Sequence, residues 1–327
     1  MSKLSKDLRI IFMGTPLFAS SILEELVERQ YNVVGVVTVP DKPAGRGMQL
    51  RCSAVKEYVQ SLNAKSICQI PLLQPEKLRS EEFIGQLKSL NADLFIVVAF
   101  RMLPEVVWAM PELGTFNLHA SLLPQYRGAA PINWAIINGE TKSGVTTFFL
   151  NEKIDCGSII LQRECAIGQN DTAGDLHDNL LNLARALVPE TVEVIARGDF
   201  SSKPQSNIDE ASLTPAPKIF KEDMQLHFDT TPEDVFNKVR GLSPFPSSWC
   251  QVDTVSMTDG TERKGFKAKV FNVSTEICEP DLQSGVWESD AKTYLRVSTN
   301  GGWVYLNELQ PDNKKRMKIV DFLRGWR

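Results

Sequence analysis

Asn117 and His119 stand two residues apart, and in an extended segment side chains at i and i+2 project from one face. An amide and an imidazole would therefore be presented side by side. The amide can donate to an oxygen on which negative charge develops, and the imidazole can move a proton near neutral pH. Downstream, Pro124, the pair Arg127-Gly128 and Pro131 force the strand to give way to a loop. Reacting groups in open α/β sheets gather at such carboxyl ends. The chain has three histidines, His119, His177 and His227. His177 lies on a helical run and reads as structural. An acid, Asp155, follows His119 by 36 residues in Asp155-Cys156-Gly157, in a Gly-bounded loop that closes another apolar strand. A carboxylate placed there fixes an imidazole tautomer and aims its other nitrogen outward.

The elements that must position these groups are legible around them. Residues 8–13 form a short apolar strand ending in Gly14-Thr15-Pro16, residues 16–30 carry apolar positions at helical spacing, and residues 32–39 form a β-branched strand. This βαβ opening predicts a parallel, doubly wound sheet. The absence of G-x-G-x-x-G argues against a dinucleotide site. Helices are expected over 53–62, 75–90, 104–110 and 131–138, with a weak strand near 66–68 and a central apolar strand over 93–99. Strands over 144–150 and 158–162 follow, and a long helix starts at Asp171-Thr172. Residues 41–51, Asp-Lys-Pro-Ala-Gly-Arg-Gly-Met-Gln-Leu-Arg, read as a Gly-rich basic loop longer than an ordinary βα connection. Its Lys42, Arg46 and Arg51 suit contact with phosphates. Composition shifts between 198 and 217 to a Pro- and Ser-containing linker. Beyond it, a helix over 232–240 and strands over 249–252, 266–273, 285–288, 294–298 and 304–309 suggest a small barrel of the type that often binds nucleic acid.

A length of 327 residues favours two domains, since single cores rarely exceed roughly 250 to 300 residues. The net charge of −4 argues against indiscriminate nucleic-acid binding. It is unevenly spread: residues 1–210 hold 20 Lys and Arg against 24 Asp and Glu, and residues 211–327 hold 16 against 16. Six cysteines without a C-x-x-C pair read as reduced thiols rather than a zinc site. The residues ahead of the first strand are too few for a leader peptide, and no apolar run approaches membrane length, so a cytoplasmic protein is expected.

Four stretches resemble the methionyl-tRNA formyltransferase family. They are Ile10-Ile-Phe-Met-Gly14-Thr-Pro16, Asp41-Lys-Pro-Ala-Gly-Arg-Gly47, the block from Asn117-Leu-His119-Ala-Ser121-Leu-Leu-Pro124 to Tyr126-Arg-Gly-Ala-Ala-Pro131, and Asp155-Cys-Gly157 with Asp171-Thr172. The resemblance runs along essentially the whole chain. It implies a Rossmann-like, mostly parallel α/β formyltransferase domain over 1–198, a linker over 199–217, and an OB-like β-barrel over 218–327 that binds tRNA. It further implies catalysis by Asn117, His119 and Asp155, folate binding along Ser121, Leu122, Leu123 and Pro124, and tRNA contact by Lys42, Arg46 and Arg51. The co-substrate would be 10-formyltetrahydrofolate and the acceptor initiator methionyl-tRNA, with a monomeric protein and no metal in the chemistry. The Asn/His/Asp set also marks formyltransferases acting on glycinamide ribonucleotide or nucleotide-linked aminosugars. A non-catalytic folate or nucleic-acid binding module is the remaining alternative.

Overall fold

The computed structural model describes residues 4–44, 49–65, 69–198, 200–205, 210–279 and 283–326. The N-terminal elements in chain order are β1 (Ile10–Gly14), α1 (Leu17–Glu28), β2 (Val33–Val37), β3 (Lys42–Ala44), β4 (Gln49–Arg51), α2 (Ala54–Ala64), β5 (Leu72–Leu73), α3 (Glu81–Ser89), β6 (Leu94–Val98), α4 (Glu105–Trp108) and β7 (Thr115–His119). Then come α5 (Pro131–Ile137), β8 (Lys142–Phe149), β9 (Ile159–Ala166) and the long α6 (Ala173–Arg197). Seven strands form one sheet in the order β5-β2-β1-β6-β7-β8-β9. Pairings from β5 to β7 are parallel, and β8 runs antiparallel to β7.

In the parallel part the order reverses between β1 and β6, which is the switch point of a doubly wound sheet. Both strands there are buried along their whole length. Ile11, Met13, Phe95 and Val97 pack into one cluster with Phe83, Leu87 and Val107, while the alternating residues Ile10, Phe12 and Ile96 are equally buried. Sheets covered on both faces require such continuous apolar runs, and each fully buried Ile or Phe side chain contributes about 1.5–3 kcal/mol.

Residues 41–51, expected as a loop, instead include a two-stranded antiparallel ribbon, β3 against β4. The weak strand anticipated near 66–68 lies outside the described residues, and β5 supplies the edge strand beside β2. At the start of α6 the Thr172 hydroxyl accepts from the Asp175 amide while the Asp175 carboxylate accepts from the Thr172 amide (3.3 and 2.8 Å).

Two compact units result. One comprises residues 1–128, 144–165 and 179–215; the other comprises 129–143, 166–178 and 216–327. The second contains α7 (Pro232–Leu242), β10 (Ser248–Gln251), β11 (Thr254–Met257), β12 (Glu262–Lys264), β13 (Lys267–Ile277), β14 (Trp287–Ser289), β15 (Leu295–Thr299), β16 (Gly302–Pro311), β17 (Met317–Lys318) and α8 (Ile319–Gly325). Its sheet order is β10-β13-β16-β15-β14-β11-β12, with β17 beside β16. β10 and β11 are two halves of one bent strand, and so are β12 and β13. At the bend, the Val252 amide donates to Phe266 and the Gly265 amide to Asp253. The sheet thus begins and ends on the same hairpin and rolls into a small barrel. Gly265 permits the bend, because a Cβ there would strike the carbonyl oxygens of Val252 and Asp253. Sequence reading finds the barrel's five strands but misses its bends, and so misses β11 and β12 as separate ladder segments; β17 and α8 are also unforeseen.

Candidate active site

Asn117 and His119 occupy the carboxyl end of β7, one strand beyond the switch point, with Asn117 level with Val97 on β6 and Phe148 on β8. The imidazole is nearly enclosed, with 7% of its side-chain surface exposed. Its Nε2 lies 2.8 Å from the backbone oxygen of Tyr126. A carbonyl can only accept, so Nε2 carries a proton and donates it there. The remaining nitrogen, Nδ1, faces Asp155 Oδ2 at 3.7 Å, too far for a direct hydrogen bond. His119 therefore has one nitrogen fixed by the protein and one left for exchange.

Asp155 comes from the loop between β8 and β9. Its Oδ2 accepts from the Gly128 amide at 3.0 Å. Its backbone is left-handed, φ 53°, which costs a non-glycine residue roughly 1 kcal/mol and is best tolerated by Asp and Asn. Gly157 closes the loop: any Cβ at that position would collide with the Phe149 carbonyl. Residues 126–128 thus reach both members of the His119–Asp155 pair, through the Tyr126 carbonyl and the Gly128 N–H. Tyr126 is itself left-handed, φ 60°, and its amide donates to Thr214 at 2.7 Å.

The stretch from Ser121 to Pro124 is pinned from beneath by Thr146. That hydroxyl donates to the Ser121 carbonyl (2.6 Å) and accepts from the Leu123 amide (3.2 Å), and Gln162 Nε2 donates to the Leu123 carbonyl (2.8 Å). Ser121 and Leu123 are buried, whereas Leu122 and Pro124 retain surface. The Ser121 hydroxyl is directed to the Gln125 carbonyl (2.7 Å), which leaves it unsuited to act as a nucleophile.

Lys42 and Arg51 are exposed and directly paired across the β3–β4 ribbon. Like charges in that register repel, and an anion laid against both would relieve the repulsion. Arg46 lies outside the described residues. Asp41, the loop's lone acid in sequence, turns to Lys56 Nζ (2.6 Å) and Gln74 Nε2 (3.0 Å). Those two hydrogen bonds, the Lys56 one first, hold its carboxyl below the usual carboxylate range. Asp41 is thus engaged by Lys56 and Gln74 rather than by the ribbon's two described cations.

The structure thus brings His119 and Asp155 together beside Asn117, and keeps the ribbon cations exposed. Thr146, Gln162, Lys56 and Gln74 were not foreseen, since each reaches its partner over a separation that no motif spacing encodes. Among the described residues, no three His, Cys, Asp or Glu side chains converge as metal ligands, and no helix is long and apolar enough to cross a membrane.

The Formyl transferase profile matches residues 8–192, and the Formyl transferase, C-terminal domain profile matches residues 218–327. The chain is 49% identical over 325 residues to a methionyl-tRNA formyltransferase of Parabacteroides distasonis, covering 98% of this chain and 97% of that one. It is also 49% identical over 322 residues to a methionyl-tRNA formyltransferase of Bacteroides fragilis, covering 98% and 96%. In fold it resembles WlaRD, a sugar 3N-formyltransferase crystallised with dTDP and 5-N-formyl-THF, with a TM-score of 0.62 at 18% identity over 94% of this chain and 99% of that one. It also resembles HypX from Aquifex aeolicus in complex with tetrahydrofolic acid, with a TM-score of 0.60 at 18% identity over 98% of this chain and 48% of that one. With both profiles matched and near-complete alignment to such relatives, the chain belongs to the methionyl-tRNA formyltransferase family.

Proposed function

We propose that this protein transfers the formyl group of 10-formyltetrahydrofolate to the α-amino group of initiator methionyl-tRNA, with Asn117, His119 and Asp155 as its catalytic residues. The amine nitrogen attacks the formyl carbon, and the carbonyl oxygen takes up negative charge in a tetrahedral intermediate. The Asn117 amide donates to that oxygen. His119 Nδ1 accepts a proton from the attacking nitrogen, and Asp155 balances the resulting imidazolium. Collapse breaks the bond from carbon to N10, and the proton passes to N10 as the leaving group departs. No covalent enzyme intermediate is required.

The observation that supports this reading most is the unequal treatment of the two His119 nitrogens. Nε2 is held by a backbone carbonyl, while Nδ1 faces a carboxylate from beyond hydrogen-bond distance. Such a tautomer, aimed at an acid rather than bonded to it, suits proton exchange with a substrate atom. The exposed surface of Leu122 and Pro124 and the backbone of Ser121 and Leu123 would contact folate. Lys42, Arg46 and Arg51 would contact tRNA phosphates, the barrel would give a second tRNA surface, and the protein would act as a cytoplasmic monomer.

The deciding experiment offers formyl-labelled 10-formyltetrahydrofolate together with charged initiator methionyl-tRNA, glycinamide ribonucleotide and a UDP-aminosugar as parallel acceptors. Label on the tRNA alone supports the reading. Label on a small acceptor would reassign the substrate while keeping the chemistry, and label on none would leave a binding module.

A further inference from the structure

Gln205 lies in the segment that composition marks as a linker, yet it is 7% exposed and hydrogen-bonded on every side. Its Nε2 donates to the carbonyls of Asp155 (3.1 Å) and Gly157 (2.7 Å), while its Oε1 accepts from Arg127 Nε (3.2 Å) and Nη2 (2.7 Å). Both amide hydrogens and both lone pairs are thus used. The amide cannot be turned over, since that would set donors against the guanidinium and an acceptor against two carbonyls. The chain is held on either side as well: Lys203 exchanges backbone bonds with Ile159 (2.8 and 2.9 Å), and farther along the Thr214 carbonyl accepts from the Tyr126 amide while the Thr214 amide donates to Gln125 Oε1 (2.7 Å each).

We propose that Gln205 is a positioning residue for the transfer reaction, a brace that sets Asp155 against His119. Arg127 stands between Tyr126, whose carbonyl holds His119 Nε2, and Gly128, whose amide holds the Asp155 carboxylate. Gln205 therefore joins the loop carrying the acid to the turn that holds the imidazole. It also grips the carbonyl of Asp155 itself, at the left-handed position that lets the carboxylate face Nδ1. The 3.7 Å separation of the pair is then a product of this brace, not of a direct bond. The inference rests on the proposed catalytic reading of His119 and Asp155.

The test uses the full chain with Gln205→Met, close in volume but without an amide, and Gln205→Glu, which keeps acceptors for Arg127 and loses the donors to the two carbonyls. Each is made alone and in an Asp155→Asn background, and single-turnover transfer is followed with the labelled formyl donor. Alone, each should lower the transfer rate about 10- to 100-fold, the scale of a small misplacement of a reacting group, with KM for both substrates within about 3-fold. In the Asp155→Asn background the further loss should be under about 2-fold, because a brace acting through Asp155 has nothing left to place. Full turnover in either variant, or an equal loss with and without Asp155, overturns the proposal. Should Gln205→Met fail to fold, Gln205→Glu decides by the same two readings. A wild-type protein that transfers no formyl group would instead sink the functional reading, so the two failures are distinguishable.

Discussion

The two nitrogens of His119 divide the labour of one side chain. With Nε2 bound to the Tyr126 carbonyl, the ring neither rotates nor changes tautomer without breaking a buried hydrogen bond, so Nδ1 is available in one orientation. Asn117 needs no such arrangement, since its amide is neutral and always a donor. It is also only half-buried, consistent with a group that meets a ligand. Asn117→Ala should accordingly lower kcat by roughly 100- to 1000-fold, the usual consequence of removing one oxyanion donor, while KM for folate stays near its wild-type value. Rapid-quench measurement of formyl transfer checks this, and a loss confined to KM would assign the amide to ground-state binding. These candidates stood out beforehand because histidine is scarce in this chain, the amide and imidazole share one strand end, and the acid lies in a Gly-bounded loop after another strand. Gln205 did not, because a buried glutamine beside proline and serine looks in sequence like any solvated linker residue.

Elements were legible in proportion to how much of their burial is written locally. β1 and β6 are covered on both faces, so their apolar runs announce them, and α6 declares its start through Thr172. β11 and β12 are short, and β12 is wholly polar; β12 exists only through its hairpin with β11, and β11 in turn through its pairing with the distant β14. The β3–β4 ribbon is likewise defined by its cross-strand register rather than by its composition. Caps are built from local residues. At α7, Thr231 caps the helix, Pro232 takes the first turn, and Asp234 returns a bond to the Thr231 amide. Hydroxyl donation from Thr230, then from Thr231, holds the Asp234 carboxyl below its ordinary value despite an opposing contribution from burial. A depressed folded-state pKa makes this contribution complete above the unfolded carboxylate value and progressively lost as pH falls through the folded one. Thr231→Ala should cost about 1 kcal/mol at pH 7. Asp234→Asn should lower Tm at pH 7 and converge with wild type in acid; calorimetry at several pH values checks both, and a difference that grows toward low pH would contradict the sign.

For the whole molecule, the decisive quantity is where its charge lies. A chain with net charge −4 cannot draw a polyanion by its overall field, so a tRNA substrate must be met by local clusters of cations. The ribbon supplies one, since Asp41 is committed to Lys56 and Gln74 and leaves Lys42 and Arg51 facing solvent in direct register. Some of the barrel's cations are already engaged. Arg316 pairs with Glu308 at 2.6 Å and lies over Phe271, and Lys267 lies 4.0 Å from the Trp249 ring centroid. A cation already held by a carboxylate displaces fewer of the nucleic acid's counterions on meeting phosphate than a free one does, so the ribbon's exposed pair should contribute measurably to the salt dependence of catalysis. In the double variant Lys42→Gln/Arg51→Gln, KM for methionyl-tRNA should rise roughly 10-fold while KM for folate holds. The slope of log KM against log salt should fall by about 1.5 to 2, near the value for two lost phosphate contacts. Equal effects on both substrates would remove the ribbon from tRNA recognition, and an unchanged slope would transfer the electrostatic role to the barrel.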